Sequence, residues 1–484
     1  MTPEADIGLV GLAVMGQNLV LNMNDHGYAV AVYNRTASVT DDFLAGATKD
    51  TRITAAYSLE ALVTQIKRPR RVMLMVKAGP PVDACIESLL PLLAPGDIII
   101  DGGNSYYKDT RRRAAYVESK GLLYVGTGVS GGEEGARHGP SIMPGGSAAA
   151  WPHVQDIFQA IAARVADGAP CCDWVGPSGA GHFVKMVHNG IEYGDMQIIA
   201  EAYLIMREML QMTNDEMSRT FGQWNEGPLS SYLIEITRDI LAYRNASGAH
   251  VVDTILDAAG QKGTGKWTAI AALEHGIPLT LIGEAVSARF LSALKGERRK
   301  AQAAYGSRRH MFSGSHSELL KALESAVYGA KLLSYTQGFM LLHAASEANG
   351  WNLDYGRIAL MWRGGCIIRS DFLNHIKAAY DREPALENLL LASHFREAIT
   401  GALADFRHVV AGAVQHGIPV PALSSALSFY DGYRRELGSA SLIQAQRDYF
   451  GAHTYERIDR PRGEYFHTDW TGTGGAATAG SYDA

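Results

Sequence analysis

The sequence has few cysteines, no long apolar run and no excess of basic charge, and each shortage excludes a class of protein. Its 4 cysteines among 484 residues lack Cys-x-x-Cys or Cys/His spacing, which argues against a disulfide framework and against a zinc site. No stretch reaches the roughly 18 apolar residues that a membrane-spanning helix needs, and the first residues lack the pattern of a signal peptide. We therefore expect a soluble, cytoplasmic protein.

Charged residues are also scarce, at 19% of the chain, and this argues against long disordered segments. The 44 Lys and Arg against 50 Asp and Glu give a net charge of -6, so we expect neither a nucleic-acid nor a membrane partner. The absence of an HExxH motif or an acidic cluster predicts no metal. Glycine, in contrast, is abundant: 52 residues, about 11% of the chain against roughly 7% on average, suggest tight turns around a ligand.

The pattern of apolar residues changes near residue 178. Before it, helical spacing alternates with short apolar runs at residues 7–10, 29–33, 72–76, 97–100 and 122–125. This alternation is typical of a parallel, doubly wound α/β sheet. After it, strand signals stop, and the spacing over 181–212, 317–347 and 385–416 predicts long helices. We predict a Rossmann-like domain over 1–178, a large all-α domain over 179–437 and a C-terminal tail over 438–484.

The first candidate site is a glycine loop between a strand and a helix. The strand at 7–10 is followed by a GxAxxG pattern over residues 11–16. Amides at a helix start, approached closely past glycine, can bind a pyrophosphate. An ordinary strand-to-helix turn would give the same pattern. About 20 residues later, where a ribose-reading acid is expected, stand Asn34 and Arg35, which favour a 2′-phosphate and hence NADP over NAD.

Further loops follow later strands and would face the same crevice. Val76, Lys77 and Ala78 follow one strand, and Asn104 follows another. After a third strand, the residues Ser130-Gly131-Gly132 offer a hydroxyl and accessible amides, which suit a carboxylate. Each of these loops could also be a simple turn.

The second candidate site is a polar stripe on a predicted helix. Lys185, His188, Asn189 and Glu192 are spaced by three, four and seven residues, so they share one face, with Tyr193 beside it. Oxidation of an alcohol needs a base, and a lysine serves only if its pKa is lowered. A glutamate serves as an acid only if its pKa is raised. The alternative is a solvated helix face.

The third feature is a set of basic residues whose neighbours are polar and glycine-rich. The segment 261–267, with Lys262, is similar to a small anion-binding loop but is not a P-loop. Arg289, Arg447 and His453 carry no signal singly, and each fits a solvated surface position as well.

Several long segments together resemble the decarboxylating 6-phosphogluconate dehydrogenase family, over nearly the whole chain. They are GLAVMGQN, NRT, IIIDGGNS, GVSGGEEGAR, GHFVKMVHNGIEYGDMQ, GQKGTGKWTA and SLIQAQRDYFGAHTYER. The resemblance implies oxidation of 6-phosphogluconate to ribulose 5-phosphate and CO2 with reduction of NADP+, in the oxidative pentose phosphate pathway and gluconate utilization, without a metal. It also implies a homodimer whose tail crosses the partner.

The resemblance also implies a role for each motif residue. Lys185 would be the general base, and Glu192 would assist protonation of the enediol. NADP would be bound by Gly11, Leu12, Ala13, Val14, Met15, Gly16, Asn34, Arg35, Thr36, Val76, Lys77, Ala78 and Asn104. Substrate would be bound by Asn104, Ser130, Gly131, Gly132, His188, Asn189, Tyr193, Lys262 and Arg289, with Arg447 and His453 supplied by the neighbouring subunit.

Two other functions remain open on the sequence. Another β-hydroxyacid dehydrogenase would share the glycine loop and the lysine, but it would leave Lys262, Arg289 and Arg447 without a phosphate to bind. A non-catalytic NADP-binding protein would be expected to have lost Lys185 or Glu192, and both are present.

Overall fold

The computed structural model describes residues 4–47, 51–306, 312–472, 474 and 478–479. The chain divides into two compact units, Met1–Leu427 and Ser428–Ala484. Most of the glycine-rich segment that ends the predicted tail lies outside the described residues. The predicted boundaries at 178 and 437 stay predictions.

An eight-stranded sheet organises the first part of the larger unit, in the order β3-β2-β1-β4-β5-β6-β7-β8. The strands are β1 Ile7–Val10, β2 Val30–Tyr33, β3 Ile53–Ala56, β4 Arg71–Leu74, β5 Ile98–Asp101, β6 Leu123–Ser130, β7 Ser141–Gly146 and β8 Gly176–Pro177. Strands β1 to β6 pair in parallel, and β7 pairs antiparallel with β6. The order reverses at β1, and the crevice at such a reversal is where α/β sheets bind ligands.

Helices cover both faces of this sheet. They are α1 Val14–Asp25, α2 Ala37–Ala47, α3 Leu59–Gln65, α4 Pro80–Leu89, α5 Tyr107–Glu118, α6 Gly132–His138 and α7 Trp151–Ile161. One apolar core joins Leu19 of α1 and Phe158 of α7 to the sheet, and a second joins Leu62 of α3 and Val117 of α5. Strands buried on both faces read as continuous apolar runs, which is why five of them were visible in the sequence.

After β8, the described part of the chain is mainly helical. The helices are α8 Ala180–Glu208, α9 Asn214–Trp224, α10 Tyr232–Ala242, α11 Thr264–Glu274, α12 Thr280–Ala293, α13 Lys295–Tyr305, α14 His316–Asn349, α15 Tyr355–Met361, α16 Leu373–Arg382, α17 Ser393–Gln415, α18 Pro421–Tyr433 and α19 Ala440–Gly451. The long helices α8 and α14 pack together, and a buried ion pair joins Lys331 Nζ to Asp195 Oδ2 at 2.6 Å. Among the described residues, no helix combines the length and the apolar character needed to cross a bilayer.

The predicted fold class is confirmed, with corrections in detail. The sheet is not wholly parallel, because β7 runs antiparallel, and its Pro144 and paired glycines hid it as a strand. A short hairpin of β9 Tyr455–Glu456 and β10 Tyr465–Phe466 lies within the segment predicted as a tail, where the sequence contains no strand signal. The helix predicted over 385–416 begins at Ser393, after a 3-10 turn at Leu389–Leu391.

Gly128 on β6 allows α8 to lie directly against the sheet. A Cβ at Gly128 would lie 2.3 Å from Lys185 Cβ and 2.7 Å from Lys185 Cγ. We predict that Gly128→Ala lowers the free energy of unfolding by about 1–3 kcal/mol, because the helix must move away from the strand. The matched control is Gly401→Ala in α17, where a Cβ would meet nothing within 4 Å. Urea denaturation measures both, and equal stability of the two variants would contradict this account.

Candidate active site

The glycine loop after β1 has the geometry of an anion cradle. Gly11 has a φ of +104°, and a Cβ there would lie 2.5 Å from the carbonyl oxygen of Met75. A Cβ at Gly16 would lie 2.0 Å from the carbonyl oxygen of Gly11. Helix α1 begins after Ala13 without a side-chain cap, so amides of its first turn are available to an outside acceptor. The loop therefore fits a pyrophosphate.

The carboxyl ends of the neighbouring strands lie at the same edge as this loop. Asn34 follows β2 and is fixed to the glycine loop, since its Oδ1 accepts a hydrogen bond of 3.1 Å from Leu12 N. Arg35, Lys77 and Asn104 are exposed at the ends of β2, β4 and β5. The edge thus presents cationic and amide side chains, and the residue that follows β2 is a neutral amide rather than a carboxylate.

A buried arginine, Arg113, joins two of these loops. The sequence analysis did not identify it. Arg113 is 1% exposed, and its Nη2 donates to the carbonyl oxygen of Gly79 at 3.0 Å and to Asp83 Oδ2 at 2.9 Å. Its Nη1 donates to Ser105 Oγ at 3.3 Å and lies 3.5 Å from Asp101 Oδ2. One guanidinium therefore connects the loop after β4 with the loop after β5.

The predicted polar stripe lies on α8, where the helix crosses the end of β6. Lys185 is only 6% exposed, and its Nζ donates a hydrogen bond of 2.8 Å to Ser130 Oγ, the last residue of β6. The following Gly131 has a φ of +111°. A Cβ at Gly131 would lie 2.6 Å from the carbonyl oxygen of Gly365, so the backbone comes close there. Gly132, which begins α6, is exposed.

Two further stripe residues surround the lysine amine. His188 is fully buried, and its Nδ1 lies 3.3 Å from Lys185 Nζ and 3.1 Å from Asn189 Oδ1. Its Nε2 lies 3.4 Å from Ser130 Oγ. A neutral ring nitrogen either donates or accepts, so Nδ1 pairs with the amide oxygen or with the lysine, not with both. The imidazole tautomer therefore determines whether Nδ1 donates to Asn189 or accepts from Lys185.

Burial shifts the pKa values of the lysine and the glutamate in the stripe in opposite directions, so that the two values approach each other. Burial lowers the pKa of Lys185, and the Glu192 carboxylate opposes this only in part. Burial raises the pKa of Glu192, against the positive charges of Lys185 and Arg289. Burial and the nearby Lys185 hold the pKa of His188 well below its ordinary value, so its ring is neutral. The two shifts have the directions that a lysine base and a glutamate acid need.

Of the residues predicted to bind the phosphate, Arg289 and Tyr193 contact each other, whereas Lys262 lies in an exposed loop. The guanidinium of Arg289 lies 3.6 Å from the ring centroid of Tyr193, and its Nη1 donates to the carbonyl oxygen of Gly260 at 3.1 Å. A Cβ at Gly265 would lie 2.5 Å from the Tyr193 ring, so this glycine serves close packing. Lys262 is exposed in the loop before α11. Its role as a ligand stays a prediction.

The structure places Arg447 and His453 in the smaller unit, apart in sequence from the stripe. Arg447 Nη1 donates to Gln444 Oε1 at 2.9 Å, and His453 stacks edge-on against Phe450. Their assignment to a neighbouring subunit's site stays a prediction.

Two other side chains near the lysine were missed. The indole of Trp362 meets the His188 ring edge-on at 5.6 Å between centroids. Cys366 is buried, and burial raises the pKa of its thiol to about 12, so it is a neutral thiol. The signal that could have identified them is the glycine pair Gly364-Gly365, unusual in a helical region, between this tryptophan and this cysteine. Among the described residues, no group of His, Cys, Asp and Glu is arranged to hold a metal ion.

Comparisons with known proteins match the whole site region. Residues 6–176 match the NAD binding domain of 6-phosphogluconate dehydrogenase, and residues 181–470 match the C-terminal domain of 6-phosphogluconate dehydrogenase. The chain is 59% identical over 482 residues to the human decarboxylating 6-phosphogluconate dehydrogenase, covering 99% of this chain and 100% of that protein. It is 56% identical over 483 residues to the Haemophilus influenzae enzyme of the same name, covering 100% of both.

A solved structure is similar throughout. The Plasmodium falciparum 6-phosphogluconate dehydrogenase, described in apo form and with NADP+ and 6-phosphogluconate, matches with a TM-score of 0.93 and 44% identity. The match covers 96% of this chain and 100% of that chain.

The buried arginine provides a direct test of the loop network. We predict that Arg113→Met lowers the free energy of unfolding by about 3–5 kcal/mol, because Asp101 is left buried without its charge partner. The neighbouring Arg112 also pairs with Asp83 but is exposed, so Arg112→Met should cost at most about 1 kcal/mol. Urea denaturation measures the free energy of unfolding of both variants. If Arg113→Met loses no more stability than Arg112→Met, the proposed network is wrong.

Proposed function

The chain belongs to the family of decarboxylating 6-phosphogluconate dehydrogenases, and we propose that the residues described above carry out its reaction. That reaction is the oxidative decarboxylation of 6-phosphogluconate to ribulose 5-phosphate and CO2, with reduction of NADP+. The observation that carries the assignment of roles is the buried, hydrogen-bonded Lys185 at the end of β6, beside the strand ends that form the nucleotide crevice.

The cofactor fits the glycine loop and its neighbours. The first-turn amides of α1 would hold the pyrophosphate. Arg35, together with Asn34, would bind the 2′-phosphate, since the residue that follows β2 carries no negative charge. Val76, Lys77 and Asn104 complete the edge. When bound, NADP+ supplies the acceptor for the hydride that leaves the substrate.

Lys185 acts as the base in the oxidation. Burial favours its neutral amine, which takes the proton from the C3 hydroxyl as the hydride leaves C3. Ser130 fixes the amine in place, and the His188 ring beside it is neutral and so adds no competing positive charge. The charged lysine that results then faces the new C3 carbonyl oxygen and stabilises the charge that develops there.

Decarboxylation follows from the position of the new carbonyl. The bond to the carboxylate breaks, CO2 leaves, and the electron pair moves towards the carbonyl, which Lys185 protonates to give the enediol. Glu192, whose pKa burial raises, holds a proton for C1 of the product. Its carboxyl lies 3.9 Å from His188 Nδ1, on the same face of α8 as the lysine.

Substrate binding divides between two groups of residues. Asn104, Ser130, Gly131, Gly132, His188 and Asn189 would orient the carboxylate and hydroxyls. Tyr193, Lys262 and Arg289 would bind the chain and the phosphate. The stacking of Arg289 on Tyr193 supports this, because it fixes a guanidinium, the best geometric match for a phosphate, near the end of the stripe.

A cytoplasmic homodimer is the assembly we propose, with Arg447 and His453 completing the neighbouring subunit's site. Large apolar side chains exposed on α11 and α12, among them Leu273 at 82% and Leu291 at 58% exposed, support a covering partner. Leu442 and Phe450 of α19 are likewise exposed.

The proposed reaction is tested by mixing the protein with NADP+ and 6-phosphogluconate in the presence of a chelator. We expect NADPH absorbance and CO2 release in equal amounts, since no step needs a metal. Lys185→Met is the control: it should bind NADP+ normally and form almost no NADPH, because the base is lost. No NADPH from the folded wild-type dimer would refute the function, and normal turnover by Lys185→Met would remove that residue from its role.

Glu192→Gln separates the acid from the base. We expect hydride transfer to survive better than the final protonation, with overall turnover strongly reduced. In the free enzyme, which kcat/KM reports, Glu192 is ionised above its own pKa, and its carboxylate there raises the pKa of Lys185. Glu192→Gln removes that charge and should lower the pKa of Lys185 further. The acid limb of the kcat/KM profile, where Lys185 becomes protonated, should therefore shift to lower pH. An unchanged or upward-shifted limb would contradict the assignment of Lys185 as base.

A further inference from the structure

The smaller unit contains a fully buried carboxylate that the reaction does not use. Asp448 of α19 is 0% exposed. Its Oδ1 accepts from the backbone N–H of Thr454 at 3.0 Å and from His467 Nδ1 at 2.9 Å. Its Oδ2 accepts from the backbone N–H of Thr468 at 3.0 Å and from Trp470 Nε1 at 2.8 Å. A buried carboxylate is costly unless its acceptors are filled, and here both oxygens are doubly paired.

This carboxylate holds a turn whose backbone is strained. Ala452 and Thr454 have φ values of +50° and +58°, although neither is glycine. The left-handed region is especially unfavourable for a β-branched residue such as threonine, and it persists only where surrounding contacts enforce it. The bond from Thr454 N to Asp448 Oδ1 is such a contact, and a second runs from Ala452 N to the carbonyl oxygen of Asp448 at 2.9 Å.

The residue between the two strained positions is His453. Its imidazole packs over the preceding Gly451, where a Cβ would lie 2.6 Å from His453 Nε2. The direction of the ring is therefore fixed by the turn on both sides and by the absence of a side chain beneath it.

Arg447 belongs to the same network. Gln444 Nε2 donates to the carbonyl oxygen of Thr454 at 2.5 Å, and Gln444 Oε1 accepts from Arg447 Nη1 at 2.9 Å. One amide thus joins the guanidinium to the strained turn, and Asp448 holds that turn from the other side.

We propose that Asp448 is a positioning residue, which shapes the turn at 452–454 so that His453 and Arg447 are presented together to the substrate of the neighbouring subunit. The inference rests on the proposed function, in which these two residues act across the dimer. Asp448 itself touches no substrate; it acts through the turn and through Gln444.

The first test is Asp448→Asn, in which an amide NH2 replaces one acceptor and opposes two N–H donors. We expect KM for 6-phosphogluconate to rise by at least about tenfold, which corresponds to about 1.4 kcal/mol of binding free energy. The affinity for NADP+ and the mass of the dimer should stay unchanged. The matched control is Asp459→Asn. Asp459 is an exposed carboxylate of the same unit, and among the described residues its ion-pair partner is Arg457. This variant should keep the native KM. A native KM in Asp448→Asn would overturn the proposal.

The second test asks whether the defect acts across the dimer. Co-expressed Asp448→Asn and Lys185→Met chains form mixed dimers, in which the intact lysine of one chain meets the intact turn of the other. We expect one site per mixed dimer to regain the native KM. A mixed dimer of His453→Ala with Lys185→Met should regain activity in the same way.

The mixed dimers separate failure of the inference from failure of the proposed assembly. If the His453→Ala mixture recovers and the Asp448→Asn mixture does not, the positioning role of Asp448 is wrong and the assembly stands. If neither recovers, the contribution across the dimer is wrong, and the inference fails with it. Should Asp448→Asn not fold, Gln444→Leu removes both hydrogen bonds that join Arg447 to the turn, the one from Arg447 and the one to the carbonyl oxygen of Thr454. The same raised KM and the same recovery are expected, and a native KM in this variant would overturn the network.

Discussion

The contact between α8 and the end of β6 is the constraint on which the rest of the site depends. Gly128 lets the helix approach until the stem of Lys185 lies against the strand, and Ser130 then receives the amine at 2.8 Å. The same approach removes water from the lysine, which lowers its pKa. One packing contact thus sets the position of the proposed base and lowers its pKa.

The site combines a rigid edge with a buried helix face. The strand ends supply the nucleotide loops, and Arg113 ties two of them together from below. The helix face is where we propose that proton transfer occurs, and burial there displaces the pKa values of Lys185 and Glu192 in opposite directions. In the smaller unit, the buried Asp448 carboxylate accepts hydrogen bonds from Thr454 N and His467 Nδ1 and so holds the turn that contains His453.

The fold class and the polar face of α8 could be predicted from the sequence, because the spacing of residues along the chain indicates both. The spacing of Lys185, His188 and Glu192 placed them on one helix face, and the structure brings the first two within 3.3 Å. The Arg113 network could not be predicted, because Asp83 and Asp101 are distant in the sequence and no local pattern joins them to Arg113. Strand β7 was missed because proline and glycine weaken its signal, although pairing with β6 overrides them.

The central claim, that burial against β6 makes Lys185 a base, is tested most directly by titrating its amine. Protein labelled with 13C at lysine Cε gives one resonance per lysine by NMR, and the signal lost in Lys185→Met identifies residue 185. We predict that this resonance titrates below the pKa of about 10.4 of an ordinary lysine, because burial disfavours the charged amine. Titration of Lys185 at or above that ordinary value would contradict the claim.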